Sequence, residues 1–111
     1  MSTQTPGAPA LAGVRVIDLT SVVFGPYATQ ALADYGADVI KIEGPEGDST
    51  RRIGPAREAG MSTIYLGANR NKRSVVLDLK TPAAREALLA LTDSADVFIH
   101  NVRPQSLQRM G

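Results

Sequence analysis

The stretch LAGVRVIDLTSVVFGPYATQALADYGADVIKIE, residues 11–43, decides the fold. Val14 to Leu19 is a short β-branched run with the composition of a buried strand. Gly25-Pro26 opens a helix, because the missing proline N–H would be unpaired in a first turn anyway. Ala28, Ala31, Leu32 and Tyr35 recur at helical spacing and predict one apolar face. Gly36 can take the left-handed conformation that ends the helix, and Ala37 to Glu43 is a second strand. Strand, helix and strand in so short a span predict a right-handed parallel βαβ unit. The loop Thr20 to Gly25 then falls at the carboxyl end of the first strand, where open α/β sheets bind ligands.

Outward from this unit, Gly44 to Gly60 has no sustained period and predicts a long loop of the kind that is functional or disordered. Met61 to Asn69 predicts a short helix capped by Ser62, and Arg70 to Arg73 is a basic turn. Ser74 to Leu79 is a third strand. Thr81-Pro82 supplies a cap and a first-turn proline for a helix reaching about Asp93, with Ala84, Leu88 and Leu91 on its buried side. Asp96 to His100 is a fourth strand, and Arg103-Pro104 begins another helix. Such alternation predicts an α/β fold, a parallel sheet with helices on both faces. Met1 to Ala10 reads as a flexible tail. The chain stops soon after a fresh helical start, so residues 11–111 read as the incomplete N-terminal portion of a longer protein.

Hydrophobic content of 43% and a formal charge of +1 give no electrostatic reason to bind nucleic acid or an acidic surface. The absence of cysteine excludes disulfides and thiolate metal sites, and a single histidine argues against any metal site. No apolar run approaches the roughly 20 residues that span a bilayer. The polar, proline-rich start lacks the charge and apolar core of a secretory signal, so the expected location is cytoplasmic, with no membrane partner.

A dinucleotide site is poorly supported: Thr20 to Gly25 has a single glycine where that fingerprint needs three, although Glu43 stands where an acidic residue would meet a ribose hydroxyl. Arg51, Arg52, Arg57, Arg70, Lys72 and Arg73 fall in one stretch opposed only by Glu58. Such residues suit phosphate contacts, and clustered charge is also the mark of a solvated face. Tyr65 is the only aromatic among them, too few for a nucleic-acid surface. His100 reads as a satisfied strand-end residue, and Asp18, Asp78 and Asp96 as turn or backbone partners. No carboxylate has the setting of a nucleophile, and no serine stands on a recognisable nucleophile elbow near His100.

Residues 11–43, GDSTRR at 47–52, NRNKRSVVLDLK at 69–80 and ADVFIHNVRPQSLQRMG at 95–111 follow one another in an order that resembles the family III CoA-transferases. That group includes formyl-CoA and carnitine CoA-transferases and, more distantly, α-methylacyl-CoA racemase. The resemblance covers Leu11 to Gly111 and implies the first part of a Rossmann-like large domain within an interlocked homodimer. It implies coenzyme A as the bound group, with a CoA thioester and a small carboxylic acid as partners and no metal. CoA contacts are implied at Val22, Val23 and Phe24 after the first strand, and at Leu77, Asp78, Leu79 and Lys80 at the end of the third. Asn101, Val102 and Arg103 after the fourth strand and Arg109 on the last helix complete the set. Some members carry an arginine directly after the glutamate that ends the second strand, where this chain has Gly44. Catalysis in the group runs through an aspartate that forms an anhydride and then a thioester with CoA, and its position lies beyond Gly111. The alternatives are a racemase of 2-methylacyl-CoA and a stand-alone module that binds CoA without catalysis.

Overall fold

Residues 7–110 are described by the computed structural model. The elements in order are β1 (Arg15–Leu19), α1 (Phe24–Asp34), β2 (Asp38–Glu43), a 3-10 turn (Ser49–Arg52), α2 (Thr63–Asn69), β3 (Arg73–Val76), α3 (Pro82–Asp93), β4 (Val97–His100) and α4 (Pro104–Met110). The strands form one four-stranded sheet in the order β3-β2-β1-β4, with every pairing parallel. The chain therefore steps outward from β1 through β2 to β3 and then returns to the other side of β1, which makes the β1–β4 junction a topological switch point.

Alternation along the strands divides the core. Val16 and Val39 pack with Ala33 and Ala37 beneath α1, while Ile17, Ile40 and Ile42 pack with Leu88 and Leu91 of α3. Helices thus cover both faces, as predicted. The expected third strand, Ser74 to Leu79, is shorter than its sequence pattern. Its partner β2 ends at Glu43 opposite Val76, so after the Leu77 N–H reaches the Glu43 carbonyl at 2.9 Å the chain has no neighbour and turns away.

The buried stripe of α1 also differs from expectation. Pro26, Thr29, Gln30 and Ala33 are buried; of the expected face Leu32 packs partly buried on the core, whereas Ala28 and Ala31 are exposed and Tyr35 is 63% exposed. Polar chemistry selects this face: Thr29 Oγ1 donates to Asp18 at 2.6 Å, and Lys72 Nζ donates to the Pro26 carbonyl at 3.0 Å. Gly25 permits this seating, because a Cβ there would lie 2.4 Å from the Thr20 side chain. Gly36 ends the helix at φ +103°, the left-handed region that glycine takes without steric cost.

The long loop is ordered by polar bonds. Asp48 caps its 3-10 turn by accepting from the Thr50 N–H at 2.9 Å, and Ser62 caps α2 by accepting from the Tyr65 N–H at 3.1 Å. Residues 1–6 of the expected flexible tail lie outside the described residues; beyond them, the Pro9 carbonyl accepts from the Ala12 N–H at 3.1 Å.

Candidate functional site

A cleft of about 540 Å³ opens over the carboxyl ends of the first three strands. Leu19 to Ser21, Lys41 to Pro45 and Leu77 to Lys80 form its floor and one side, and Val102, Ser106, Arg109 and Met110 close the other. Arg85 reaches it from α3, with Nε donating to the Leu79 carbonyl at 2.8 Å and a longer contact of 3.4 Å to the Arg109 carbonyl. The cleft thus combines an apolar lining from Leu19, Ile42, Leu77 and Leu79 with the cations Lys80, Arg85 and Arg109. The Arg109 guanidinium folds back along α4, 3.3 Å from Ser106 Oγ and 3.4 Å from the Gln105 carbonyl.

The basic stretch that suggested a phosphate surface is largely consumed in ion pairs. Arg51 forks onto Glu43, Arg70 onto Asp34 and Arg73 onto Asp38. Lys72 meets Asp18 at 3.0 Å with side chains only 2% and 0% exposed. Acids from α1 and from β1 and β2 oppose Arg70, Lys72 and Arg73 across the fold, and only Glu43 stands close in sequence to its partner, eight residues before Arg51. Burial pushes the Lys72 ammonium down, and Asp18 only partly restores it.

Glu43 is likewise committed. Its carboxylate accepts from Arg51, from Ser74 Oγ, from Tyr65 Oη at 3.3 Å and from the Asp48 N–H at 2.8 Å. Burial raises its pKa, but the Arg51, Ser74 and Asp48 bonds outweigh burial and bring it down to about 2. A carboxylate so saturated has no lone pair left for a ribose hydroxyl, which removes the dinucleotide role considered for it. Among the described residues no group of three or more acids and histidines could hold a metal ion.

Of the positions implied by resemblance, Leu77, Asp78, Leu79, Lys80, Val102 and Arg109 line the cleft together. Val22, Val23, Phe24, Asn101 and Arg103 lie outside its wall. Val22 and Val23 are half exposed, and Phe24 is 90% exposed at the start of α1. Asn101 spends its side chain on Ser21, accepting from the Ser21 N–H at 3.2 Å and donating to the Ser21 carbonyl at 2.9 Å. That bridge spans the β1–β4 switch point. Arg103 sits at the entry to α4, where its carbonyl accepts from the Leu107 N–H at 2.9 Å.

The model of CoA-transferase family III matches residues 11–111. The chain belongs to that family. It is 45% identical over 102 residues to the human succinyl-CoA:glutarate CoA-transferase, covering 91% of this chain and 23% of the relative. It is 48% identical over 105 residues to the formyl-CoA:oxalate CoA-transferase of Afipia carboxidovorans, covering 94% and 25%. Among solved structures, a CAIB/BAIF family protein from Brucella suis superposes with a TM-score of 0.87 at 38% identity, over 93% of this chain and 28% of that one. The chain therefore spans about a quarter of the length of these family III relatives.

Within this family III chain, Ser21 belongs to the strand-end loop expected to meet a ligand, whereas sequence reasoning missed Arg85, Ser106 and Met110 as lining residues, and Lys41 and Asp48 as buried charges. Strict alternation along β2 carries a signal for Lys41, since it shares a face with Val39 and Glu43. Asp48 directly precedes Ser49-Thr50, a cap pattern. Arg85 carries no such pattern; it stands on α3, and its 2.8 Å bond to the Leu79 carbonyl turns it to the cleft.

Proposed function

We propose that the chain is the N-terminal, CoA-binding portion of a family III CoA-transferase that moves CoA between an acyl-CoA and a carboxylic acid. The observation that carries this reading is the cleft itself. Its apolar lining suits a flat base, and Lys80, Arg85 and Arg109 offer cations to the phosphates of CoA. The names of the relatives add support. They share a CoA thioester and differ in the acid, glutarate in one and oxalate in the other, at similar identity to this segment. A segment so alike in enzymes for different acids suits the part of the substrate that they share.

The aspartyl intermediate implied by the family resemblance needs a carboxylate free to attack. Glu43, Asp48 and Asp18 are saturated with donors, and Asp78 turns Oδ1 onto the Lys80 N–H at 3.1 Å. The nucleophile in this reading stands outside residues 1–111, as do the acid pocket and much of an interlocked homodimer. The chain alone is then inactive.

The test uses the full-length protein. Isotope exchange of CoA between an acyl-CoA and a free acid should be seen, and CoA should slow amide hydrogen exchange at 77–80 and 102–110. CoA binding that leaves both segments unprotected would overturn the site.

A further inference from the structure

The loop between β1 and α1 contains a residue in a conformation its side chain disfavours. Val22 has φ +75°, and a β-branched residue in the left-handed region is a true outlier. Such strain persists only where surrounding contacts over-determine it. Here two side chains from distant parts of the chain supply those contacts. On one side the Asp48 carboxylate accepts from the Val22 N–H at 3.2 and 3.4 Å. Asp48 is itself fixed by the Thr50 N–H at 2.9 Å, Thr50 Oγ1 at 2.8 Å and Lys41 Nζ at 3.0 Å. The Lys41 and Asp48 side chains are each 1% exposed, and the same ammonium donates to the Thr20 carbonyl at 3.0 Å. On the other side Asn101 holds Ser21 by both its N–H and its carbonyl. Thr20 and Ser21, between these two anchors, line the cleft.

We propose that Asp48 and Asn101 are positioning residues that clamp the Thr20–Val22 bend from opposite sides and preset it for the ligand of the cleft. This deepens the CoA reading and rests on it. A loop at a strand end would otherwise lose conformational freedom on binding, and a preset bend removes that cost. Asp48 also borders the cleft, whereas Asn101 stands outside its wall and acts through the backbone of the loop. Burial raises the Asp48 pKa, but the Thr50 and Lys41 contacts overcome it, so the carboxylate stays charged and accepting.

The test compares Asp48→Asn and Asn101→Ala with the unmutated full-length protein, reading amide exchange at Ser21 and Val22, thermal unfolding and CoA affinity. The Val22 amide should be protected in the unmutated protein. Asp48→Asn should speed its exchange at least tenfold, and Asn101→Ala should do the same at Ser21. CoA affinity should fall about tenfold in each variant. Asn101 is exposed, so Asn101→Ala keeps the test decisive if Asp48→Asn fails to fold. A purely structural role would lower the melting temperature and leave CoA affinity intact. Fast exchange at Val22 in the unmutated protein overturns the clamp. So does unchanged affinity in Asn101→Ala while Lys80→Ala weakens binding, and that outcome leaves the CoA reading standing. Failure of the unmutated protein to bind CoA sinks the CoA reading, whereas a protected Val22 amide released by Asp48→Asn still supports the clamp.

Discussion

Arg51 forks onto Glu43, with Nε 2.9 Å from Oε1 and Nη2 2.7 Å from Oε2, while its guanidinium lies 3.8 Å from the centre of the Tyr65 ring. The same guanidinium donates to Tyr65 Oη at 2.6 Å and to the Gly60 carbonyl at 3.1 Å, so one side chain ties the long loop and α2 to the end of β2. Arg51→Ala leaves a buried carboxylate without its cation and should destabilise the protein by about 3 kcal/mol. Arg51→Lys should recover only part of this, because an ammonium cannot reproduce the fork. Urea unfolding of the three forms checks the order.

Acid should act through the same pair. The Glu43 pKa is 4.5 in a free chain and about 2 in the fold. A depressed folded pKa contributes stability that is complete above the free value and is lost as pH falls through the folded one. The loss from Glu43 therefore runs between pH 4.5 and about 2, and amounts to roughly 3 kcal/mol. Melting temperatures across that window should fall less steeply in Glu43→Gln. An unchanged slope would mean that other carboxylates carry the acid response.

Two cations close in sequence should behave in opposite ways. The side chains of Lys72 and its partner Asp18 are almost wholly out of water, whereas Arg70 meets Asp34 at the surface. Lys72→Met strands Asp18 and should cost about 3 kcal/mol, and adding Asp18→Asn should restore a good part of it. Arg70→Ala should leave stability nearly unchanged, since exposed pairs contribute little. Equilibrium unfolding of the single and double variants separates the two cases.

The outward face of α1 bears on the chain alone. Phe24, Tyr27 and Tyr35 are 90%, 68% and 63% exposed, with Ala28 and Ala31 between them. Exposed apolar surface of this kind drives association. The isolated chain should sediment as more than a monomer, and Tyr27→Ser with Tyr35→Ser should shift it toward one. A compact, cooperative monomer without these changes would argue for a domain complete in itself.

The strands, the caps at Ser62 and Thr81 and the helices on both faces were legible because each rests on local pattern and composition. The seating of α1 was not. Of its apolar stripe only Leu32 packs on the core, while Ala28, Ala31 and Tyr35 are exposed, because Thr29 is drawn to Asp18, a contact that only tertiary structure creates. The basic stretch misled for a related reason, since Asp18, Asp34 and Asp38 lie far in sequence from Lys72, Arg70 and Arg73 and meet them only in the fold. Leu77 to Lys80 and Arg109 came from resemblance, and the cleft that they share needed the topology to bring α4 across the sheet.

Arg109 and the paired cations should part company when CoA binds. Arg109 lines the cleft, and its two contacts on α4 are long, so its guanidinium can turn toward a phosphate at little cost. Arg109→Ala in the full-length protein should weaken CoA binding by about 1.5–3 kcal/mol, the range for a hydrogen bond to a charged group. Arg70 is occupied by Asp34 outside the cleft, so Arg70→Ala should leave CoA affinity where it was. Dephospho-CoA, which lacks the 3′-phosphate, tells which phosphate is touched. If Arg109 meets the 3′-phosphate, Arg109→Ala should weaken CoA and leave dephospho-CoA nearly unchanged, whereas a diphosphate contact would weaken both alike. Calorimetry with the two ligands on the unmutated protein and both variants decides this. Equal, small losses for Arg109→Ala and Arg70→Ala would remove Arg109 from the site.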